Sequence, residues 1–382
     1  MDAPWRRAAV AIAVVSLLAS SLAACSGEPD AAPAPAGSSE SASPSEPSEP
    51  SEPSEPSKSS ESSESSEPAE EPSDDATQEP TEEPPHPISV AALAEADLGG
   101  GDLRLGAVRE RTAAYTSYDV TFASTTAGEG TAPLRISGVL NVPTGRGPFP
   151  AVVLAHGYID PAAYVRGQGM TRERGFLAQR GFVALHVDYR NHAESTDDPR
   201  IETAVRLGYS ADVAAAVHAL RRSGDVRVDP DRIALFGRSM GGGVMLKALA
   251  AEPGLFAAGV GWASVSSLEA ENFDQFQRPD APLAELRAGY RGRHGLPAED
   301  PAFWRGVSSR PAFGEITEPV LLVHGRFDDT CPPPWASATQ RALTRAGVDS
   351  TLEWYDDGHA FGPAFIAAMD RTVRFLRAEM PA

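Results

Sequence analysis

The most constraining feature of the sequence is a G-x-S-x-G segment at residues 237–241, Gly-Arg-Ser-Met-Gly, centred on Ser239. An apolar run at residues 233–236 precedes it, and a stretch compatible with a helix, residues 243–251, follows it. A strand, a sharp turn and a helix in this order form the elbow that holds a nucleophilic serine in a strained conformation. Glycines two residues before and after the serine allow the strand and the helix to pass close together. The same short pattern also occurs by chance in turns, so the interpretation depends on the rest of the chain.

Two further side chains follow the serine in the order that a serine hydrolase of the α/β type requires. Residues 319–325 are predicted to form an apolar strand, and Asp328 comes just after its end. Residues 352–355 are predicted to form another short strand, and His359 lies in the loop that follows it. Functional groups of open α/β sheets lie at the carboxyl ends of the strands, so we expect these side chains to meet at one edge of the sheet.

The three residue types predict nucleophilic catalysis at Ser239. His359 would accept the serine proton and later deliver it to the leaving group, while Asp328 orients and stabilises the imidazolium. The tetrahedral intermediate also needs two backbone N–H donors for its oxyanion. We predict that they belong to Met240, the residue after the serine, and to Tyr158, which follows an apolar strand and a His-Gly pair.

These motifs resemble those of the α/β-hydrolase superfamily, and more narrowly the catalytic domains of the prolyl oligopeptidase family and the related dienelactone-hydrolase-like esterases. The resemblance covers roughly residues 115–378. The segment H-G-x-x-D-x-x-C-P at residues 324–332 is similar to the family's H-G-x-x-D-x-x-V-P and favours Asp328 over Asp329 as the acid. The resemblance implies an α/β-hydrolase fold with a mostly parallel, doubly wound sheet.

The chain differs from the peptidases of this family at two points. Met240 stands where they usually carry tyrosine, and methionine is more familiar among the esterase-like members. Only about 60 residues separate Ile88 from the first hydrolase strand near Pro150, too few for the several four-stranded blades of a substrate-binding propeller. We therefore expect hydrolysis of a small-molecule carboxylic ester through an acyl-enzyme. A peptidase acting on short peptides is one alternative, and a non-catalytic surface binding protein is another.

Residues 88–382 have the length of one large α/β domain. An antiparallel pair of strands is predicted first, and strands that alternate with helices follow it, which is typical of a parallel sheet. A mostly helical insertion at about residues 268–313 is predicted to form a lid over the site. Its aromatic side chains would either line an acyl pocket or form a small core within the lid. They are Phe273, Phe276, Tyr290, Phe303 and Trp304.

The N-terminus has the layout of a secretory signal peptide. Two arginines precede the apolar residues 8–19, and Leu-Ala-Ala-Cys at residues 22–25 resembles the bacterial lipobox. This resemblance implies a signal peptide at 1–24 and a lipidated Cys25 as the first mature residue, on the extracellular face of the cell membrane. A transmembrane anchor and ordinary secretory cleavage are the alternatives. The apolar stretch is short for a membrane span, and Leu22 is bulky where secretory cleavage needs a small residue.

Between the lipobox and the domain the chain consists mainly of Ser, Glu, Pro and Ala. Residues 26–87 contain 17 acidic residues and one basic residue, Lys58, and therefore hold −16 of the chain's net charge of −20. Burial of so few apolar side chains cannot offset the loss of conformational entropy on folding. We therefore predict that residues 25–87, which begin with Cys25, form a disordered tether. The domain that follows is only mildly acidic. A nucleic-acid partner, which needs a basic face, is not expected.

We expect no cofactor and no metal, because the sequence has no H-E-x-x-H, paired C-x-x-C or phosphate-binding motif. Once Cys25 is lipidated, Cys331 has no disulfide partner, and we expect a buried, unreactive side chain. Histidines at strand ends, His156 and His324, are expected to brace loops. We expect surface positions for three others, His192, His218 and His294.

Overall fold

A computed structural model describes residues 84–125, 133–279, 283 and 286–381. The predicted signal peptide at 1–24, Cys25 and the predicted tether up to residue 83 lie outside these residues. Within the described ranges, no helix has the length and apolar character that a membrane crossing requires.

A twisted nine-stranded sheet lies at the centre of the described domain. Its strands are β1 Gly101–Arg111, β2 Tyr115–Ser124, β3 Leu134–Pro143, β4 Phe149–Ala155, β5 Val183–Val187, β6 Val228–Arg238, β7 Gly259–Trp262, β8 Val320–Gly325 and β9 Ser350–Tyr355. The spatial order is β1-β2-β3-β5-β4-β6-β7-β8-β9. The pairs from β1 through β3 to β5 are antiparallel, and those from β5 through β4 and β6 to β9 are parallel. The predicted mostly parallel sheet is confirmed.

Helices connect the parallel strands and cover the sheet. They are α1 Val90–Glu95, α2 Thr171–Ala178, α3 Gly208–Arg222, α4 Met240–Ala251, α5 Glu269–Phe276, α6 Leu286–His294, α7 Pro301–Gly306, α8 Pro333–Arg345 and α9 Phe365–Glu379, with a short 3-10 helix at Arg310–Glu315. The helices α5 to α7 and the 3-10 helix occupy the segment between β7 and β8 where the sequence predicts a lid.

The sheet separates two hydrophobic cores, because successive side chains of a strand point to opposite faces. In β4, Ala151, Val153 and Ala155 belong to one core, and Val152 and Leu154 belong to the other. Buried residues of α1, α3, α4 and α8 fill the first core, and those of α2 and α9 fill the second. Both faces of the central strands are therefore covered, and β4, β5, β7 and β8 are buried along most of their length, as predicted. The edge strand β9 and the first residues of β6 differ from this prediction, since they are more polar and only partly buried or exposed.

Candidate active site

Ser239 lies at the turn between β6 and α4, where the sequence predicts an elbow. Its backbone has φ 55° and ψ −121°, a region that residues other than glycine rarely adopt. The flanking glycines are required by close backbone contacts. A Cβ atom on Gly237 would overlap the Gly241 carbonyl, and a Cβ atom on Gly241 would overlap the Ala155 carbonyl. The strained turn therefore depends on both glycines.

The structure brings the three predicted side chains into one hydrogen-bonded row. His359 Nε2 lies 3.0 Å from Ser239 Oγ, and His359 Nδ1 lies 2.9 Å from Asp328 Oδ2 and 3.0 Å from Oδ1. With Nδ1–H donating to the carboxylate, Nε2 is left as the acceptor for the serine hydroxyl. A histidine in this tautomer can act as a base toward Ser239.

Asp328 is buried, and its charge is supported by several donors. It accepts hydrogen bonds from His359, from the Cys331 N–H at 2.8 Å and from the Thr330 N–H at 3.0 Å. Burial by itself would raise the pKa of Asp328, but the hydrogen bonds from His359 and the Cys331 N–H outweigh it and hold the pKa below its usual range. The neighbouring Asp329 is exposed and accepts a hydrogen bond from Thr330 Oγ1.

The two predicted oxyanion donors belong to segments that adjoin Ser239. Met240 is the first residue of α4, so its N–H is one of the amides at a helix start that have no acceptor within the helix. Tyr158 follows Gly157, whose backbone runs against the serine so closely that an added Cβ would lie 3.1 Å from Ser239 Cβ. Tyr158 and Met240 line the same cavity as Ser239 and His359.

A cavity of about 370 Å³ opens beside Ser239. Its wall on the lid side includes four aromatic side chains, Phe273, Phe276, Tyr290 and Trp304. Three of these side chains, Phe273, Tyr290 and Trp304, also pack on one another. These aromatic side chains thus line the cavity and also pack on one another, and an acyl pocket at this place stays a prediction. Phe303 does not line this cavity and stacks on His294, with the ring centroids 4.0 Å apart.

The cavity also contains charged groups, which sequence reasoning did not identify. Lys247 Nζ lies 2.6 Å from Glu269 Oε1, and the two residues come from α4 and from the first position of α5. Arg206 forms an ion pair with Glu202 at 2.8 Å, and its guanidinium lies over the Tyr158 ring. Each cation is paired with a carboxylate, so the cavity has no large excess of charge.

His156 braces the loop that carries Tyr158. Its Nδ1 lies 2.6 Å from the Gly157 carbonyl, and its Nε2 lies 3.3 Å from the Asp188 carbonyl. Burial, assisted by the nearby His192, lowers the pKa of His156 to about 3, so the ring is neutral at physiological pH. The prediction that His156 is a structural residue agrees with these contacts.

The prediction of a surface position is wrong for His192 and His294. His192 is 1% exposed, and its two ring nitrogens have the Arg190 and Ile159 carbonyls as hydrogen-bond partners, which makes burial of the polar ring tolerable. His294 is 9% exposed and lies 2.7 Å from the Thr203 carbonyl through Nε2. Local sequence does not show such carbonyl partners, since they come from distant segments.

Cys331 is fully buried beside Asp328, as predicted. Burial, and then the charge of Asp328, raises the pKa of its thiol, which therefore stays protonated and unreactive. Among the residues that the structure describes, no group of three or more His, Cys, Asp or Glu side chains is placed to hold a metal ion.

Comparison with known proteins connects this domain to peptidases and esterases. A family model described as the prolyl oligopeptidase family matches residues 169–380. Dipeptidyl peptidase 4 of Felis catus is 33% identical over 142 residues, which are 36% of this chain and 17% of the cat protein. The chain thus matches only a small part of that relative's length.

Solved structures of both classes share the fold. Acetyl xylan esterase 1 from Thermoanaerobacterium sp. superposes with a TM-score of 0.56 and 19% identity, covering 77% of this chain and 94% of the esterase. A puromycin-hydrolyzing peptidase of Mycobacterium tuberculosis superposes with a TM-score of 0.51 and 19% identity, covering 73% of this chain and 46% of the peptidase. The predicted α/β-hydrolase fold is therefore confirmed.

Proposed function

The chain belongs to the prolyl oligopeptidase family, and from this membership and the geometry around Ser239 we propose that it is a serine hydrolase that cleaves carboxylic esters. The observation that carries the proposal is the row of hydrogen bonds from Asp328 through His359 to Ser239 Oγ. This row activates a serine whose free hydroxyl is a weak nucleophile.

The proposed reaction has two halves. Ser239 Oγ attacks the ester carbonyl carbon while His359 Nε2 takes the hydroxyl proton, and the Met240 and Tyr158 N–H groups stabilise the oxyanion. Collapse of the tetrahedral intermediate breaks the bond to the alcohol, which leaves with the proton from His359. Water then attacks the acyl-enzyme by the same steps, releases the acid and restores Ser239.

Two observations favour an ester over a peptide as the substrate. The esterase named above shares this fold over nearly its whole length, whereas the fold accounts for less than half of the peptidase. The cavity beside Ser239 is lined in part by lid aromatics and has a volume within the range of small-molecule sites. The family name and the cat relative support hydrolysis of short peptides as the second candidate.

We also propose that the enzyme works on the extracellular face of the cell membrane, held by a lipid on Cys25 and the tether of residues 25–87. This proposal is supported by the lipobox-like segment at residues 22–25.

A fluorophosphonate probe tests the hydrolase proposal directly. We expect covalent labelling of the wild-type protein and none of Ser239→Ala, because labelling needs both the base and the oxyanion site. Turnover of p-nitrophenyl esters should fall by several orders of magnitude in the same variant, while Ser337→Ala in α8 serves as the matched control. A wild-type protein that is folded but not labelled would contradict the hydrolase proposal and favour the non-catalytic alternative. Faster cleavage of peptide p-nitroanilides than of esters would favour the peptidase.

A further inference from the structure

The loop that carries His359 is held by two arginines from elsewhere in the chain. Arg238, in the elbow, donates through Nη2 to the His359 carbonyl at 3.0 Å. Arg172, in the first turn of α2, donates through Nη2 to the Ala360 carbonyl at 2.9 Å and through Nη1 to the Phe361 carbonyl at 3.0 Å. Three consecutive carbonyls therefore have charged donors.

Glu173 lies between the two guanidinium groups. Its Oε1 is 3.6 Å from Arg172 Nη2 and 3.7 Å from Arg238 Nη1, and its side chain is 1% exposed. Burial raises the pKa of Glu173, and the charges of Arg238 and Arg172 act against this rise. A buried carboxylate in this position lies close enough to both guanidinium groups to offset the repulsion between them, and it acts through its charge because Oε1 makes no hydrogen bond.

The loop itself needs such support. Phe361 has φ 51°, in the left-handed region that a bulky side chain rarely adopts. Its side chain is fully buried and packs on Trp262, with the ring centroids 4.7 Å apart. The loop must therefore keep a strained conformation while it presents His359 to Ser239.

We propose that Arg172, Glu173 and Arg238 form a clamp, here called the arginine clamp, that positions His359 for proton transfer. These three are positioning residues, because they contact the backbone of the histidine loop rather than the substrate. The proposal rests on the proposed function, since it concerns the base of that reaction. A shift of about 1 Å in a reacting group can cost on the order of 100-fold in rate, so three hydrogen bonds to this backbone matter.

Arg172→Gln is the main test, because Arg172 is 48% exposed and its replacement should leave the fold intact. We expect kcat on a p-nitrophenyl ester to fall by roughly 10- to 100-fold with KM nearly unchanged, since positioning of the base affects the transition state rather than substrate binding. Fluorophosphonate labelling should slow by a similar factor. Arg180→Gln is the matched control, because Arg180 pairs with Asp370 and makes none of these loop contacts.

Two variants of Arg238 separate positioning by the clamp from general stability. Arg238→Lys keeps the positive charge but loses the planar fork of donors, one of which reaches the His359 carbonyl. We expect it to lower kcat on a p-nitrophenyl ester with KM nearly unchanged, because the base is displaced while the substrate site is kept. Arg238→Gln loses the charge as well, and its kcat should fall further.

The possible outcomes are distinct. If the wild type neither labels nor turns over ester, the proposed function fails. If the wild type is active and Arg172→Gln keeps more than half of its kcat, the arginine clamp is overturned. Melting temperatures identify any variant that fails to fold. If the Arg238 variants do not fold, the kcat of Arg172→Gln alone decides whether the clamp stands.

Discussion

At the scale of single residues, the adjacent carboxylates Asp328 and Asp329 occupy opposite environments. Asp328 is 5% exposed and lies within hydrogen-bonding distance of His359, whereas Asp329 points to solvent. In the proposed mechanism, a carboxylate in the first position fixes the tautomer of the histidine and stabilises its charged form. Asp329, in the second position, is exposed and is not placed to do either.

We therefore expect Asp328→Asn to lower kcat by roughly 10²- to 10⁴-fold, because the amide would favour the wrong tautomer of His359. Steady-state kinetics on a p-nitrophenyl ester measure the loss. The isosteric Asp329→Asn is the control and should keep nearly full activity. The reverse pattern would move the acid by one residue and contradict the roles proposed for this loop.

At the scale of elements, the elbow between β6 and α4 is the most demanding local structure. Gly241 has no room for a side chain, since its Cα faces the Ala155 carbonyl of β4. By contrast, Gly289 in α6 has nothing within 4 Å of an added Cβ. The two glycines thus differ in packing, and the same substitution should have opposite effects.

Gly241→Ala should destabilise the domain strongly or prevent recovery of folded protein, because two backbone segments would have to separate. Gly289→Ala should instead raise the free energy of unfolding by roughly 0.5–1 kcal/mol, since alanine loses less entropy in a helix. Urea denaturation of both variants measures the difference. A Gly241→Ala protein as stable as wild type would contradict the close packing of the elbow.

The sequence predicts the central parallel strands and the helices between them because these strands are buried on both faces and largely apolar. It does not reveal β1, in which only Leu103 is buried, so the strand has no apolar alternation. Helix α1 is missed because it is short and has only Val90 and Leu93 as buried residues. Such elements are defined by the sheet edge and core they join rather than by their own pattern.

The sequence predicts that Ser239, Asp328 and His359 lie together, because each follows the end of a predicted strand. The cation pairs of the cavity and the arginine clamp could not be predicted. Arg172 and Phe361 are 189 residues apart in the chain, and only the packing of α2 against the histidine loop brings them together. Local patterns show which residues can do chemistry, and tertiary packing determines how they are supported.

At the scale of the whole molecule, buried neutral histidines make stability depend on pH. Burial lowers the pKa of His156 to about 3 and lowers that of His186 well below its usual value. In the unfolded chain these histidines become protonated near pH 6.5, whereas in the folded chain they stay neutral to a lower pH. Their contribution to stability is therefore complete above pH 6.5 and is lost as the pH falls toward 3.

We expect the free energy of unfolding to decrease by about 1.4 kcal/mol for each such histidine per pH unit below 6.5. Urea denaturation between pH 7.5 and 5 measures the slope. Buried carboxylates with raised pKa values, Glu173 and Asp188, make the free energy of unfolding change with pH in the opposite direction. The contribution of one histidine is therefore measured by comparing the wild type with His186→Gln. That variant should show a shallower decline. Parallel curves for the two proteins would contradict the buried, neutral state of His186.

The domain and its proposed anchor should be separable at the tether. Val90 and Leu93 of α1 are buried in the core, so a truncated protein that starts at residue 84 keeps every described contact of α1. We expect it to be as active on a small ester as the full chain. A protein that starts at residue 97 lacks α1 and serves as the control. It should unfold at a lower urea concentration than the protein that starts at residue 84.

In bacteria that process lipoproteins, the full chain should partition into detergent and Cys25→Ala should not carry lipid. Stable attachment is expected from more than one acyl chain, because each buried CH₂ contributes about 0.8 kcal/mol and a single chain binds only marginally. Mass spectrometry of the mature N-terminus identifies the modified residue. A protein found free in the medium, with its mature N-terminus at a residue other than Cys25, would show that the chain is secreted. In that case the lipid anchor fails while the hydrolase proposal, tested on the protein that starts at residue 84, is unaffected.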